Sequence, residues 1–207
     1  MANSNRPQGF VPVKHLDGSP YSGAANMYLL DSGDSTVVGI GDVVITAGGA
    51  GAAGSKVHGV NTEGMPTITR SVDGTIGAST VGVVVGFVPD PTNLNVKHRL
   101  ASTSRVALVC DDPDTIFEIQ EDAVGTPIAA ASIGLNVAYA LGATSATTGL
   151  SGMMLDSSTV AVTATLPVRI LRLVNRPDNV LSTGTTSYAR YEVRFVTHYN
   201  TTALAIA

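Results

Sequence analysis

The sequence predicts an all-β protein, either a small antiparallel β-barrel or a β-sandwich, with an extended N-terminal arm and long loops rich in Gly, Ser and Ala. Its apolar share, 44% of residues, comes mainly from Ala and Val, and aromatic residues contribute only 5%. The 22 glycines and 10 prolines divide the chain into short segments that end in turns. About ten short strands at this spacing are typical of a sandwich or a barrel.

The first half of the chain contains several apolar runs that we interpret as strands. Residues 25–31 end at a Ser-Gly-Asp-Ser turn, and residues 36–46 are interrupted at Gly41, where we expect a bulge or a corner. The Gly/Ala run at 47–54 is predicted to be a flexible loop between strands. The next strands are predicted at 66–70 and 80–88.

The centre of the chain, residues 105–122, is predicted to be a β-hairpin around which the fold is organised. Two runs rich in Val, Leu, Ile and Phe flank the turn-forming sequence Asp111-Asp112-Pro113-Asp114. The same segment is the most acidic part of the chain. It contains Asp111, Asp112, Asp114, Glu118, Glu121 and Asp122.

The second half combines strands with a long loop. Residues 124–131 are predicted to contain a brief helical turn, and residues 142–158 a loop that docks onto the core through Met153 and Met154. The remaining strands are predicted at 134–141, 160–164, 166–174 and 188–198. In the last of these, apolar and charged residues alternate, which is the pattern of a half-buried antiparallel strand.

We expect the chain to be divided into three parts. Residues 1–24 form an extended arm, residues 25–199 the β core and residues 200–207 an apolar tail. An arm with exposed apolar side chains is unfavourable, so we expect it to lie across a neighbouring subunit or across its own domain. The candidate contact residues in the arm are Phe10, Val11, Val13 and Tyr21.

Charge is unevenly distributed along the sequence. The net charge of −4 and the pI of about 5.4 disfavour direct nucleic-acid binding. The end of the chain is nevertheless basic, whereas the central turn is acidic, and this layout suits the packing of subunits. We expect Asp111, Asp112 and Asp114 either to satisfy the backbone of a turn or to contact a basic surface of a neighbouring copy. The candidate residues of that surface are Arg169, Arg172 and Arg194.

No catalytic constellation, cofactor site or metal site is predicted, so the chain is not expected to be an enzyme. Gly49, Gly51 and Gly54 match the spacing of a dinucleotide motif, but no helical pattern follows them. Glu118 and Glu192 are conceivable acid–base partners, but nothing in the sequence brings them together. The four histidines lack the spacing of a metal site, and the acidic turn lacks the rest of a calcium loop.

The sequence also indicates the compartment. It contains no apolar run long enough for a membrane helix and no N-terminal secretory pattern. Cys110 is the only cysteine, which excludes an internal disulfide, and we expect it to be a small buried residue. These features predict a protein made in a reducing cytoplasm.

Several stretches, in order, resemble a family of tailed-bacteriophage head structural proteins of about 200 residues that are regarded as capsid decoration or cement proteins. The stretches are ANSNRPQGFVPVKHLDGSPYSGAANMY, GIGDVV, GVVVGF, CDDPDTIFEIQED, IGLNV, LPVRILRLVNRPDN and YARYEVRFVTHY. The resemblance implies a homodimer or homotrimer on the capsid exterior that cements neighbouring major capsid subunits against internal DNA pressure.

Other virion roles remain open at this point. A tail-tube subunit, a head–tail connector or a major capsid subunit is a second possibility, although the capsid shell fold usually needs a long spine helix that the sequence does not predict. A carbohydrate-binding virion protein is a third. It would need exposed aromatic residues near carboxylates, and the chain contains no Trp.

Overall fold

The computed structural model describes residues 3–72, 74, 80–181 and 188–201. Nearly all regular structure in these residues is β-strand, so the all-β prediction is confirmed. The strands, in chain order, are β1 Val11–His15, β2 Asn26–Leu30, β3 Val43–Ala50, β4 Lys56–Val57, β5 Val60–Asn61, β6 Pro66–Arg70, β7 Thr80–Phe87, β8 Arg105–Cys110, β9 Thr115–Gln120, β10 Asn136–Val137, β11 Tyr139–Ala140, β12 Met154–Leu155, β13 Val168–Leu173 and β14 Arg190–Phe195. Short 3₁₀ helices cover Ala130–Ser132, Ser157–Thr159 and Tyr199–Thr201.

Five strands close into a barrel in the order β2-β6-β3-β7-β8, and β8 pairs back onto β2. The pairing of β2 with β6 is parallel and the others are antiparallel. Aliphatic side chains fill the interior, as small barrels require. They are Leu30, Val38, Val44, Ile68, Val81, Val84, Ala107 and Val109.

A second, antiparallel sheet has the order β1-β9-β14-β13-β10. Its inner face carries an aromatic cluster in which the ring of Phe10 lies 6.1 Å from Phe117, 5.5 Å from Tyr139 and 5.2 Å from Phe195. The same core includes Val43, Val83 and Cys110 from strands of the barrel, so this sheet packs against the barrel. Its other face carries the charged side chains described below.

The central segment is not a hairpin. Strand β8 pairs with β2 and β7 in the barrel, whereas β9 pairs with β1 and β14 in the second sheet. Asp111 to Asp114 therefore connect the two sheets. The turn itself forms, because the Asp114 amide donates to Asp112 Oδ1 at 2.9 Å and the Thr115 amide donates to the Asp112 carbonyl at 3.2 Å.

The N-terminal segment lies across its own domain, one of the two positions that the sequence allowed. Residues 11–15 form β1, and Phe10 is only 1% exposed. This placement corrects the expectation that Phe10 is a contact residue, because its ring lies in the chain's own core. Gly9 and Gly41 allow the N-terminal segment to pass close to the backbone at Gly41. Both have positive φ, and a Cβ on either one would clash with backbone of the other segment.

Several predicted boundaries change. The strand predicted at 36–46 begins only at Val43, and the Gly/Ala run extends β3 to Ala50 instead of forming a loop from residue 47. Residues 160–164 do not form a strand, since Ala161 makes one isolated bridge with Asn136. The segment 142–158 docks through Met153, which is fully buried, but Met154 is half-buried and begins strand β12. Of the tail predicted at 200–207, the structure describes only Asn200 and Thr201, and residues 202–207 lie outside the described residues.

Candidate functional site

The outer face of the second sheet carries most of the Lys and Arg side chains of the described chain that are not buried. Side chains alternate along its strands, so Phe117, Val193 and Ile170 point into the core while their neighbours point outward. We call this outer surface the basic face. Its charged residues are Lys14, Arg169, Arg172, Arg176, Arg190, Arg194, Glu118 and Glu192.

Glu118 and Glu192 lie directly opposite each other on β9 and β14. Like charges in this position repel, unless cations neutralise them. Glu192 Oε2 lies 2.7 Å from Lys14 Nζ and 2.6 Å from Arg172 Nε. Glu118 accepts from Arg176 at 2.5 Å and from Arg190 at 3.2 Å. The pairs form a network that crosses β1, β9, β14 and β13.

The network holds both carboxylates in ion pairs. Burial raises the pKa of Glu192, but hydrogen bonds from Lys14 and Arg172, together with their charges, outweigh it, so the pKa lies below its ordinary value. The general acid of a glycoside hydrolase holds its proton near neutral pH and needs a raised pKa, so Glu192 does not suit that role. The structure thus brings together the two acids that the sequence could not connect, but in an arrangement of structural ion pairs.

The basic face has more cations than the network uses. Arg169 and Arg194 lie opposite each other on β13 and β14. Arg169 Nε donates to Asn136 Oδ1 at 3.1 Å, and Arg194 Nε is buried without a hydrogen-bond partner among the described residues. Together with Arg172, these are the three arginines predicted as contact residues, and the structure places them on one surface. Val11, another predicted contact residue, pairs with Glu118 and is half-buried.

An arginine-lined cleft of about 400 Å³ lies at one end of the basic face. Its lining includes Arg6, Arg176, Arg190 and Asp178. The backbone of Arg6 is fixed, because its amide donates to Gln120 Oε1 at 2.8 Å and its carbonyl accepts from Arg190 Nη2 at 2.9 Å. The Arg6 guanidinium itself makes no hydrogen bond or ion pair with a described residue. This cleft therefore presents guanidinium groups on a rigid wall.

The acidic turn lies at the opposite end of β9. Asp111 accepts from Tyr28 Oη at 2.7 Å, and Asp112 Oδ2 lies 2.7 Å from His15 Nδ1. Asp114 is exposed, and its carboxylate has no hydrogen bond or ion pair within the described part of the chain. The three carboxylates thus have different partners, and no group of three metal-ligating side chains occurs among the described residues.

Three residues named in the sequence analysis, Cys110, Tyr21 and Val13, have local structural positions. Cys110 is 1% exposed, as expected, and burial raises the pKa of its thiol. Tyr21 is half-buried, and its hydroxyl donates to the carbonyl of Ala24 at 2.8 Å. Val13 is also half-buried, at the irregularity between Pro12 and Lys14 in β1.

The sequence did not identify Arg6, Lys14, Arg176 or Arg190 as site residues. Arg190 could have been found, because the alternation in residues 188–198 places it on the face of Arg194. Arg6 and Lys14 carried no such signal, since the path of the arm across the sheet is set by long-range packing.

No protein-family model, curated protein or solved structure gave a significant match to the chain. Within the described ranges, the structure contains no helix long and apolar enough to cross a membrane.

Proposed function

We propose that the chain is a structural protein of a tailed-phage virion that binds the outer surface of the capsid and cements neighbouring major capsid subunits. The resemblance of the stretches quoted above supports this proposal. The structural observation that carries it is the basic face, a sheet surface on which six cations accompany two carboxylates in a chain of net charge −4.

The basic face is suited to binding another protein surface. Its strands hold the guanidinium groups in fixed positions, and Arg forms two parallel hydrogen bonds with a carboxylate. The network around Glu118 and Glu192 keeps several of these groups oriented before any partner arrives. In this proposal Arg169, Arg172 and Arg194 contact acidic side chains on the capsid exterior.

Each exposed ion pair contributes only about 0–1 kcal/mol, so one copy on one capsid subunit would bind weakly. A homodimer or homotrimer that touches several capsid subunits binds multivalently, and its avidity can exceed the single affinity by about 10²–10⁴. A decoration protein of this kind needs a rigid scaffold and a repeated contact surface, which the barrel and the basic face provide.

Addition of the purified protein to expanded, empty shells of the cognate phage tests the proposal. We expect saturable binding at a fixed ratio to the major capsid subunit and a higher disruption temperature of the shell. If the protein does not bind shells and polymerises into tubes, it is instead a tail-tube subunit. A copy number in virions of only a few tens, by mass spectrometry, would favour a neck or tail component.

A further inference from the structure

We propose that the arginine-lined cleft binds the Asp114 end of the sheet of a second copy, so that copies associate head to tail. This inference rests on the proposed function, which requires an oligomer, and it identifies the contact that builds that oligomer. The ligand of the cleft is then a protein carboxylate.

The first argument is the charge of the cleft. Arg176 and Arg190 share the buried carboxylate of Glu118, so the three groups together carry one positive charge. Arg6 adds a second positive charge that has no partner among the described residues, and Asp178 balances only one of the two. The cleft therefore retains a positive charge, and its guanidinium groups favour a carboxylate as ligand.

The second argument is the charge of the acidic end. Asp17, Asp112 and Asp114 line one shallow depression with His15 and Leu16. Asp17 bonds to Ser19, and Asp112 to His15 and the turn, which leaves Asp114 as the carboxylate without a described partner. Neighbouring like charges make an added cation favourable at this position.

The third argument is distance. Asp114 immediately precedes β9, whereas Gln120, the last residue of β9, accepts the hydrogen bond from the Arg6 amide. Six strand residues separate the two sites by about 20 Å, so Arg6 cannot reach Asp114 of its own chain. The two sites can be joined only between copies. A two-fold axis can make such a contact twice in a dimer, and a heterologous contact closes into a ring when the rotation between copies allows it.

The fourth argument is the composition of the two surfaces. The Leu16 amide donates to the Asp114 carbonyl at 2.8 Å, and the Leu16 side chain is 51% exposed. The acidic end thus offers an apolar group beside its free carboxylate. Tyr188, half-buried in the lining of the cleft, offers an apolar surface on the other side.

Charge reversal with rescue tests the contact. Arg6→Glu and Asp114→Arg should each weaken self-association at least about tenfold in sedimentation velocity, because each places like charges together. The double variant, Arg6→Glu with Asp114→Arg, restores opposite charges across the contact and should recover association. Lys56→Glu and Glu63→Arg, on and beside the exposed β4–β5 hairpin, make the same charge changes elsewhere and should have no effect.

Several results would overturn the inference. The contact is excluded if self-association survives both single reversals. It is also excluded if the double variant, with an unchanged melting temperature, does not recover self-association. Loss of association in Arg169→Glu but not in Arg6→Glu would move the partner surface to the flat part of the basic face. Inorganic phosphate could instead stabilise the protein against unfolding. If Arg6→Glu abolishes that stabilisation and leaves self-association unchanged, the cleft is a site for small anions.

Shell binding is measured separately from self-association. If the charge reversals leave self-association unchanged and the wild-type protein binds shells, only the head-to-tail contact is rejected. If the wild-type protein self-associates but does not bind shells, only the proposed function is rejected.

Discussion

Replacing Phe10 with Ala tests whether the N-terminal segment belongs to the folded core. The ring is 1% exposed and contacts the rings of Phe117, Tyr139 and Phe195. Truncation of a buried Phe costs about 3–5 kcal/mol, and the cost is larger where the surrounding structure cannot collapse. Phe117 and Phe195 are held by paired strands, so we expect about 4–5 kcal/mol. For a chain of this length that corresponds to a fall in melting temperature of about 8–20 °C.

Urea unfolding followed by far-UV circular dichroism measures this loss. The midpoint should fall while the m-value stays constant, which shows that stability has changed and not the extent of unfolding. Leu16→Ala is the matched control in the same segment, since Leu16 is 51% exposed, and its effect should lie within about 0.5 kcal/mol. A Phe10→Ala variant within about 1 kcal/mol of wild type would refute the placement of Phe10 in the core.

Three further predictions concern buried or paired polar groups. Glu192→Gln should lower the free energy of unfolding at pH 7 by about 1–3 kcal/mol, because its two cations lose a charged acceptor. The folded pKa of Glu192 lies below its ordinary 4.5, so this contribution is present above 4.5 and lost as pH falls through the folded pKa. Wild type and variant should converge in urea titrations at low pH, and a constant difference would contradict the linkage. Asp42→Ala removes a fully buried carboxylate whose Oδ2 lies 2.9 Å from Arg70 Nε, and it should cost about 3–5 kcal/mol in the same assay. A loss below about 1 kcal/mol would show that the pair is dispensable. Cys110 should react with a thiol reagent at least about tenfold more slowly in the native than in the unfolded protein, because burial raises its pKa and blocks access. Equal rates would place the thiol at the surface.

The all-β class and many strand positions could be predicted from the sequence because they depend on local patterns. The alternation in residues 188–198 fixes which side chains of β14 are buried, and Tyr191, Val193 and Phe195 are buried as expected. Pro66 to Arg70 form a strand with the predicted boundaries. These signals come from residues close together in the chain.

Strand pairing could not be predicted in the same way. All six residues of β9 are buried, so its pattern does not distinguish a partner in the barrel from one in the second sheet. An acidic turn between two apolar strands suggests a hairpin, but it can also join two sheets. The site shows the same limit, because the register that sets Glu118 opposite Glu192 depends on residues 74 positions apart.

The loops beside the barrel depend on a further nonlocal feature. Arg99 is fully buried, and its guanidinium donates to carbonyls of Asp31, Asp34, Thr36 and Thr103. Arg is rarely buried, so the sequence alone favours a surface position for Arg99. Only the folded loops supply the acceptors that make burial of this charge possible.

The central claim is that the basic face binds the capsid exterior, and charge reversal on that face tests it most directly. The measurement is the amount of protein bound to expanded shells at saturation, by quantitative sedimentation. The variant Arg169→Glu/Arg172→Glu should lose at least about tenfold in affinity. The control Lys56→Glu/Lys97→Glu changes the net charge equally at exposed sites elsewhere and should bind as wild type does. Equal binding by wild type and both variants, each with an unchanged melting temperature, would contradict the claim.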